Sequence, residues 1–379
     1  MEETAVKKAI SRVIDERSYY GFTGNPRVKE FEGALAKIFG QERILALNSG
    51  TDALVFALLS LNIGKGDEVI VPSFSFISTA SCVGWVGAKP VFVDIQEGDF
   101  ALDPSKIEEK ITPKTKAILV AHLFGQPATG MEEILAMAKR YNLAVVEDAA
   151  QSFGAKVCLG GKWKIVGTIG DIGCLSFSST KPFAAPGNGG AIIFNRNDGM
   201  YEKTDLLRYY GAKKHYFDYP RIGINAKLHE VQAAALLAKI PFLDYWFQRR
   251  QSVAQCYDAA LSNAGDLMLP RAHSGTERKY YRYVVRTKHR DLLFNHLLNT
   301  VGKTQHLRPM MNYPVPLPHF AAFRELGHKI GDFPVSERLA AEVISLPITN
   351  YVQKQDAVLV TKAVHAFFDK PPLGNLAEA

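Results

Sequence analysis

The chain has 379 residues, of which 47% are hydrophobic and 22% are charged. This length and balance allow a large buried core and leave room for two domains. The net charge of +7 is scattered, and its densest clusters, at 213–214 and 249–250, are short. A phosphorylated small molecule is therefore a better-supported partner than nucleic acid.

The cysteines and the N-terminal residues indicate the cellular compartment and disfavour some classes of binding site. The cysteines lie far apart and form no C-x-x-C pair, which disfavours zinc or iron–sulfur binding and suits a reducing compartment. They are Cys82, Cys158, Cys174 and Cys256. Residues 1–8 lack an apolar signal core, and no apolar run approaches the length of a membrane span. We expect a cytoplasmic protein with no metal site and no membrane partner.

The first 61 residues contain three predicted helices. Residues 1–19 read as an amphipathic helix that 21–26 interrupts, and 28–39 form a second helix with one buried face. A short strand then leads into a tight turn at 48–50 and a helix that begins near Thr51. The N-terminus of such a helix suits a phosphate, although serine and threonine at this position also serve simply as caps.

Strands and helices alternate between residues 67 and 147. Apolar runs with little alternation, separated by helices, indicate a parallel sheet that is covered on both faces. The predicted segments are 68–71, 75–86, 90–95, 117–121, 131–141 and 143–147. Functional groups of such sheets gather beyond the carboxyl ends of the strands.

The residues at these strand ends each have two interpretations. Asp148, with Gln151 close behind it, either faces a ligand or caps the next turn. Phe76 lies in another predicted strand, 72–77, near the sheet edge, and is either a stacking platform or part of the core. His122 ends a third strand and is equally consistent with a core histidine whose hydrogen bonds are satisfied.

Lys181 lies between two short strand-like runs, in the stretch SFSSTKPFAAPGNGG (176–190). It is a solvated surface lysine, a partner of Ser178 in a serine–lysine acyl transferase, or a lysine that forms a Schiff base. The second interpretation is weak because Pro182 disfavours a helix at Lys181 and the companion motifs S-D-N and K-T-G are missing from the sequence. The residues at the other strand ends therefore decide whether Lys181 is a surface lysine or a lysine that forms a Schiff base.

Four features converge on one cofactor. A phosphate-type turn, a strand-terminal acid, an aromatic side chain and a lysine suit a compound that carries a phosphate, a pyridine nitrogen, a planar ring and an aldehyde. That compound is pyridoxal 5'-phosphate (PLP).

The sequence closely resembles the fold type I PLP enzymes of the DegT/DnrJ type, the nucleotide-sugar aminotransferases. The resemblance covers residues 20–369 and is carried by an ordered set of motifs. They are NSGTDAL (48–54), PSFSFIST (72–79), EDAAQSFGA (147–155), residues 176–190, GINAKLHEVQAA (223–234), YPVPLPH (313–319), and FPVSER (333–338) with a Leu-Pro pair at 346–347. Each motif is weak alone, but the ordered set is strong.

The resemblance implies a fold and a set of roles. The fold would be α/β, with a mostly parallel seven-stranded sheet between helices in a large domain (1–240) and a smaller α+β C-terminal domain (241–370). Lys181 would hold PLP and Asp148 would pair with the pyridine nitrogen. Gln151 would contact the ring hydroxyl and Phe76 would stack on the ring face. Gly50, Thr51 and Ser176 would bind the phosphate, and Asn225 of the partner subunit would complete that phosphate site.

The implied activity is amino transfer in a ping-pong cycle. L-glutamate would give its amino group to a 3-keto or 4-keto deoxy sugar linked to dTDP or UDP, as in the biosynthesis of lipopolysaccharide amino sugars, and the enzyme would be a homodimer with its site at the interface. Related dehydratases carry histidine in place of the lysine, so Lys181 favours transamination. The alternatives are amination of a keto-cyclitol, sugar dehydration, and a PLP-binding regulator without catalysis.

The C-terminal part is predicted as a helix at 242–261, strands around 280–287, and helices at 291–300 and 337–344, with a frayed tail from 371 to 379. A proline-rich loop there resembles a substrate-facing segment of the family. Its candidate substrate residues, which alternatively only brace the loop, are His306, Arg308, Tyr313 and His319.

Overall fold

The computed structural model describes residues 2–17, 26–196, 198–212 and 217–369. The helices in these ranges are α1 (Glu2–Asp15), α2 (Pro26–Phe39), α3 (Gly50–Ser60), α4 (Ser78–Trp85), α5 (Met131–Tyr141), α6 (Met200–Leu207), α7 (Glu230–Lys239), α8 (Leu243–Leu261), α9 (Arg290–Thr300), α10 (Pro334–Glu342) and α11 (Lys354–Phe368). The strands are β1 (Ile44–Leu47), β2 (Glu68–Pro72), β3 (Lys89–Val93), β4 (Thr115–Ala121), β5 (Ala144–Asp148), β6 (Lys156–Leu159), β7 (Lys162–Ile165), β8 (Ile172–Ser176), β9 (Gly190–Phe194), β10 (Thr276–Glu277), β11 (Tyr283–Arg286) and β12 (Val343–Leu346).

A central sheet organises the first half of the chain. Within the described residues it has seven strands, in the order β1-β9-β8-β5-β4-β2-β3. The strands from β8 to β3 run parallel, and β9 is antiparallel to both β8 and β1, so β1 points in the same direction as the parallel set. The carboxyl ends of six strands therefore meet at one edge, which confirms the predicted mostly parallel sheet.

The sheet is buried on both faces. Along β4, Ile118 and Val120 belong to one hydrophobic cluster with helices α2, α5 and α7, whereas Ala117 and Leu119 belong to a second cluster with α3 and α4. Alternate side chains of a strand point to opposite faces, so a strand covered on both sides reads as a continuous apolar run. This is the reason that these strands were recognisable in the sequence.

The C-terminal part has a core of its own. A third hydrophobic cluster joins Tyr257 of α8, Leu293 of α9 and Val360 of α11 to the antiparallel pair β11 and β12. This is in line with an α+β C-terminal domain, but the predicted domain bounds of 1–240 and 241–370 stay a prediction. The predicted interruption between the first two helices, at 21–26, lies outside the described residues except for residue 26, and the predicted tail at 371–379 lies wholly outside them.

Two predicted segments were wrong in their bounds. Residues 72–77 were predicted as a strand, but β2 ends at Pro72 and the residues after it form the loop that leads into α4, where the Ser75 hydroxyl lies 2.7 Å from the Thr79 hydroxyl. The helix predicted for 337–344 ends at Glu342, and the apolar residues after it form β12, which pairs with β11. Short apolar runs do not distinguish a helix end from a buried strand.

Three small strands and three helices were not predicted from the sequence. The hairpin β6–β7 turns at two glycines, 160 and 161, both with positive φ, and β10 pairs with β6 from the C-terminal part. The helices are α6, α7 and α11. No helix in the described ranges is both long and apolar enough to cross a membrane.

Candidate active site

The turn after β1 makes an anion-binding geometry from backbone. Ser49 caps α3, and its side-chain oxygen accepts a hydrogen bond from the Asp52 N–H at 3.0 Å. A Cβ on Gly50 would lie 2.6 Å from the Cβ of Ser176, and one on Gly190 would lie 2.3 Å from the Ser49 carbonyl oxygen. Only glycine allows these close approaches, which bring the start of α3 against the end of β8 and the start of β9.

Hydroxyl groups connect this turn to Asp148. The Thr51 and Ser78 hydroxyls are 2.8 Å apart, and Thr79, the next residue of α4, donates a hydrogen bond of 2.8 Å to Asp148 Oδ2. Thr51 is exposed, so its hydroxyl remains accessible to a ligand at the helix N-terminus. The N-terminus of α3, the first turn of α4 and the end of β5 thus form one continuous polar surface.

Asp148 is a nearly buried acid at the carboxyl end of β5, between the neighbouring strands β4 and β8. It is 7% exposed, and its Oδ1 accepts a hydrogen bond from the Ala150 N–H at 3.2 Å. Burial raises the pKa of the nearby Cys82 and Cys174 thiols, and the negative charge of Asp148 raises these pKa values further. Two neutral thiols therefore lie near Asp148.

Gln151 bridges Asp148's loop to two other segments. Its Oε1 accepts a hydrogen bond from the Phe124 N–H at 3.2 Å, and its Nε2 donates to the Tyr313 hydroxyl at 2.9 Å. The ring of Tyr313 lies 6.2 Å from that of Phe76, which is half exposed in the loop after β2. Phe76 therefore presents a ring face beside the polar groups rather than filling the core.

Lys181 lies in the turn that follows β8, where its N–H donates to the Ser178 carbonyl at 2.9 Å. Its Nζ lies 4.5 Å from the centre of the Tyr281 ring. The backbone of Tyr281 in turn donates to the Phe124 carbonyl at 3.1 Å, and the Phe124 N–H contacts Gln151. A short chain of contacts therefore joins the lysine to the loop of Asp148.

Tyr281 has unusual acidity for a buried phenol. Burial alone would raise its pKa, but the positive charges of Lys181 and Arg282 and hydrogen bonds with Thr180 and Arg282 outweigh this effect and lower its pKa to about 8. By contrast, burial raises the pKa of Tyr313, and the charge of Tyr281 adds to that rise. The two phenols of this cleft therefore differ in their readiness to ionise.

The lysine turn is also tied to the C-terminal part. The Asn350 Nδ2 donates a hydrogen bond of 2.8 Å to the carbonyl of Pro182, the residue after Lys181. The Asn350 Oδ1 accepts from Arg250 Nε at 2.7 Å, and Arg250 is buried in α8. We call the residues Pro182, Asn350 and Arg250 the lysine tether.

The sequence of residues 4–365 matches the DegT/DnrJ/EryC1/StrS aminotransferase family. The chain belongs to this family. The predicted enzyme class and fold class are thereby confirmed. The chain is 38% identical over 367 residues to a "Pleiotropic regulatory protein" of Geobacillus stearothermophilus, with 96% of this chain and 95% of that protein covered.

Two further proteins are similar to this chain over nearly its whole length. The dTDP-3-amino-3,6-dideoxy-alpha-D-galactopyranose transaminase of Aneurinibacillus thermoaerophilus is 36% identical, with 96% of this chain and 95% of that enzyme covered. The crystal structure of DesV from S. venezuelae superposes with a TM-score of 0.88 at 33% identity, with 97% of this chain and 95% of that chain covered.

Only one of the four candidate substrate residues of this aminotransferase lies in the contact chain described above, and it is Tyr313. His306 lies 3.8 Å from Asp356, and His319 lies 2.9 Å from Glu337, so both histidines pair with carboxylates of the C-terminal part. Arg308 is exposed. The part that these three residues play toward a substrate stays a prediction.

Asn225 of this aminotransferase is exposed, and its neighbour Ala226 accepts a hydrogen bond of 2.9 Å from the Asn48 N–H. His122 is fully buried, accepts a hydrogen bond from the Ala128 N–H, and contacts Glu147 at 3.0 Å. It is therefore a core histidine whose hydrogen bonds are satisfied, as the core interpretation of its sequence position predicts.

Sequence reasoning missed several residues at this site. Thr79 was quoted within a motif but given no role, although it holds Asp148. Thr180 likewise lay within the stretch 176–190 without a role. Tyr281 and Arg282 carried no signal, because nothing in the local pattern of residues 280–283 shows that they would meet a turn 100 residues earlier. A buried tyrosine in a strand-like run reads as core.

Proposed function

We propose that this chain transfers an amino group from L-glutamate to a 3-keto deoxy sugar linked to dTDP or UDP, with PLP as its cofactor. The observation that carries the proposal is the chain of contacts that joins Lys181, through Tyr281, Phe124 and Gln151, to the loop of Asp148. It assembles a reactive amine and a buried carboxylate at one sheet edge. Membership of an aminotransferase family gives this pair its chemistry.

The donor groups at the sheet edge fit PLP. The N-terminus of α3 offers backbone N–H groups in a turn where Gly50 leaves no room for a side chain, with the hydroxyls of Thr51 and Ser176 beside it. A dianionic phosphate suits such a helix end. Asp148 supplies the carboxylate that a protonated pyridine nitrogen needs, and Phe76 supplies an exposed ring face for stacking.

When bound, PLP supplies an electron sink for the negative charge that develops at the carbon losing its proton. Lys181 would hold the cofactor and, once released by the donor amine, would move the proton from the α-carbon of glutamate as general base and then as general acid. Asp148 would keep the proton on the ring nitrogen, which maintains the sink. Gln151 would orient the ring through its phenolic oxygen, with the Tyr313 hydroxyl holding its amide.

The sugar class is supported by one relative and by charge. The Aneurinibacillus transaminase is named for a dTDP-linked 3-amino sugar, which favours C3 over C4 as the position of the new nitrogen. A net charge of +7 suits an anionic nucleotide-linked substrate. We place the reaction in the cytoplasm, as a step toward a lipopolysaccharide or another surface glycan.

We also propose that the enzyme is a homodimer in which Asn225 completes the phosphate site of the partner subunit. Asn225 is exposed, and the segment before it presents Phe217 and Ile222 with 88% and 97% of their surface exposed. Large apolar side chains so open to solvent are typical of surfaces that a second subunit covers.

The proposal is tested by incubating the enzyme with PLP and L-glutamate and following the absorbance of the cofactor. We expect conversion to its amino form, and then, on addition of dTDP- and UDP-linked 3-keto and 4-keto sugars, an amino sugar detected by mass spectrometry. Conversion with glutamate but a product only from a keto-cyclitol would overturn the sugar assignment. Loss of water from the sugar without incorporation of nitrogen would indicate a dehydratase, and no conversion at all would favour a regulator.

A further inference from the structure

Tyr281 contacts two successive residues of the lysine turn, Thr180 and Lys181. Its ring centre lies 4.5 Å from the Lys181 Nζ, and its hydroxyl lies 3.4 Å from the Thr180 Oγ1. It is only 7% exposed, and its backbone N–H is fixed by the Phe124 carbonyl. The side chain is therefore a rigid platform under a lysine that has to leave its cofactor and return.

A second cation lies on the same tyrosine. The guanidinium carbon of Arg282 is 4.7 Å from the ring centre, and its Nη2 donates to the Tyr281 hydroxyl at 3.3 Å. The Arg282 Nε is buried without a hydrogen-bond partner among the described residues. An arginine placed in this way favours negative charge on the phenol oxygen that it contacts.

We propose that Tyr281 is a positioning residue for Lys181. The Tyr281 ring holds the released amine of the lysine, and the charge of that amine acts on the Tyr281 phenol. The role rests on the proposed function, since it concerns the same lysine. Tyr281 lies outside the sequence motifs, so this role would make it a further residue that takes part in amino transfer.

The charged groups that face Tyr281 come from three segments. The lysine turn contributes Lys181, the chain beside Tyr281 contributes Arg282, and α8 contributes Arg250, whose Nη1 donates to the Tyr281 carbonyl at 3.3 Å. The segment between α9 and α10 contributes the phenol of Tyr313, whose pKa burial raises. Two cations on the ring and hydroxyl account for the lowered pKa of Tyr281, about 8, despite burial.

The charge of Lys181 acts on the Tyr281 phenol. Removal of that charge raises the pKa of Tyr281. Below pH 8 the phenol is neutral and the ring alone attracts the cation. Above that pH the phenolate adds a direct charge attraction, which holds the same amine more strongly.

The first experiment is a near-ultraviolet absorbance titration of the enzyme without cofactor. We expect one tyrosine to ionise near pH 8 in the wild type, and this transition to be lost in Tyr281→Phe but kept in the matched control Tyr280→Phe. In Lys181→Met the transition moves upward, by about one pH unit, which is a tenfold change in the phenolate ratio. A transition near pH 8 that survives in Tyr281→Phe overturns the proposal.

The second experiment measures how fast Lys181 of the same protein is trapped by PLP and borohydride, with the modified peptide identified by mass spectrometry. Above pH 8 we expect Lys181 to be trapped faster in Tyr281→Phe than in the wild type, because no phenolate holds its amine, and Tyr280→Phe to match the wild type. Equal profiles for all three proteins contradict the coupling. Neither experiment requires transfer activity, so the tyrosine role and the proposed function fail separately.

Discussion

At the scale of single residues, Asp148 and Lys181 are held by contacts of different kinds. Asp148 receives directional hydrogen bonds from Thr79 and from the Ala150 N–H. The Lys181 amine instead lies over the face of Tyr281, and a cation–π contact tolerates a range of positions. The acid is therefore fixed while the amine can move, which suits a carboxylate that fixes a ring nitrogen and a lysine that releases and recaptures a cofactor.

Replacing Lys181 by alanine removes the proposed carrier of the proton. We expect the rate of amino transfer to fall roughly 10²- to 10⁴-fold, the usual range for a positioned acid–base group, with the fold retained. The measurement is single-turnover conversion of the cofactor by glutamate. Lys139→Ala, which changes an exposed lysine of α5, is the control and keeps the wild-type rate. A Lys181→Ala enzyme as fast as the control would rule out this role.

Replacing Asp148 by asparagine keeps the size of the side chain but removes its charge. We expect kcat to fall roughly 10²- to 10³-fold, as when one preorganised electrostatic contact is lost, with a smaller change in KM. Asp99→Asn alters another buried aspartate, which binds the Thr129 N–H and hydroxyl, and serves as the matched control. If both variants lose activity equally, the effect is on folding and not on the cleft.

At the scale of elements, the two parts of the chain are joined where α10 begins. Asp94, directly after β3, is 4% exposed and accepts hydrogen bonds from the N–H groups of Val335 and Ser336 and from the Ser336 hydroxyl. It therefore caps, from another segment, a helix whose own cap position holds Phe333. This contact fixes α10 against the sheet edge.

Removing this cap tests its contribution to stability. We expect Asp94→Ala to lower the free energy of unfolding by about 1–2 kcal/mol, measured by urea denaturation. Asp103→Ala, which removes a less buried cap from a single short turn, costs less and is the control. An equal cost for the two variants would show that the bonds to α10 contribute nothing beyond a local turn.

The same carboxylate predicts a pH dependence. Burial would raise the pKa of Asp94, but hydrogen bonds from Ser336, Val335 and Ile95 lower it below its usual value. A lowered pKa in the folded state means that the stabilisation is present above the unfolded pKa of about 4 and is lost as pH falls through the folded value. The stability difference between wild type and Asp94→Asn therefore shrinks below pH 4. A difference that is constant with pH contradicts this.

The sequence predicted the elements that are buried on both faces and failed where tertiary contacts decide. β5 was visible as a short continuous apolar run, and α5 was visible because its apolar residues follow a helix period. β12 was read as the end of a helix, because only its pairing with β11 distinguishes it. At the site, Asp148 was proposed from its position at a strand end and Lys181 from its convergence with other motif residues, whereas Tyr281 reaches the cleft from a distant segment that no local pattern connects to it.

At the scale of the whole molecule, the proposed dimer can be tested by mixing inactive subunits. Lys181→Ala and Asn225→Ala proteins are unfolded and refolded together, and the amino-transfer rate is measured at saturating PLP. If Asn225 acts in the partner's site, each mixed dimer regains one intact site, and an equal mixture recovers about a quarter of wild-type activity by random pairing.

The refolded single variants are the controls for this mixture. Each should stay at its own low rate, because both of its sites carry the same defect. Activity of the mixture equal to the mean of the two variants would place Asn225 in its own subunit's site or outside any site. A protein that stays monomeric in sedimentation under assay conditions would refute the dimer directly.

The lysine tether makes the position of the reactive amine depend on the packing of the C-terminal core. Because Asn350 bonds both the residue after Lys181 and Arg250 of α8, the turn cannot shift without disturbing a helix whose opposite end lies in another hydrophobic cluster. Substitutions that make no contact with the cleft can therefore change the position of the Lys181 amine and, with it, the rate of catalysis. Selection for a new sugar could act on α8 as readily as on the residues that meet the substrate.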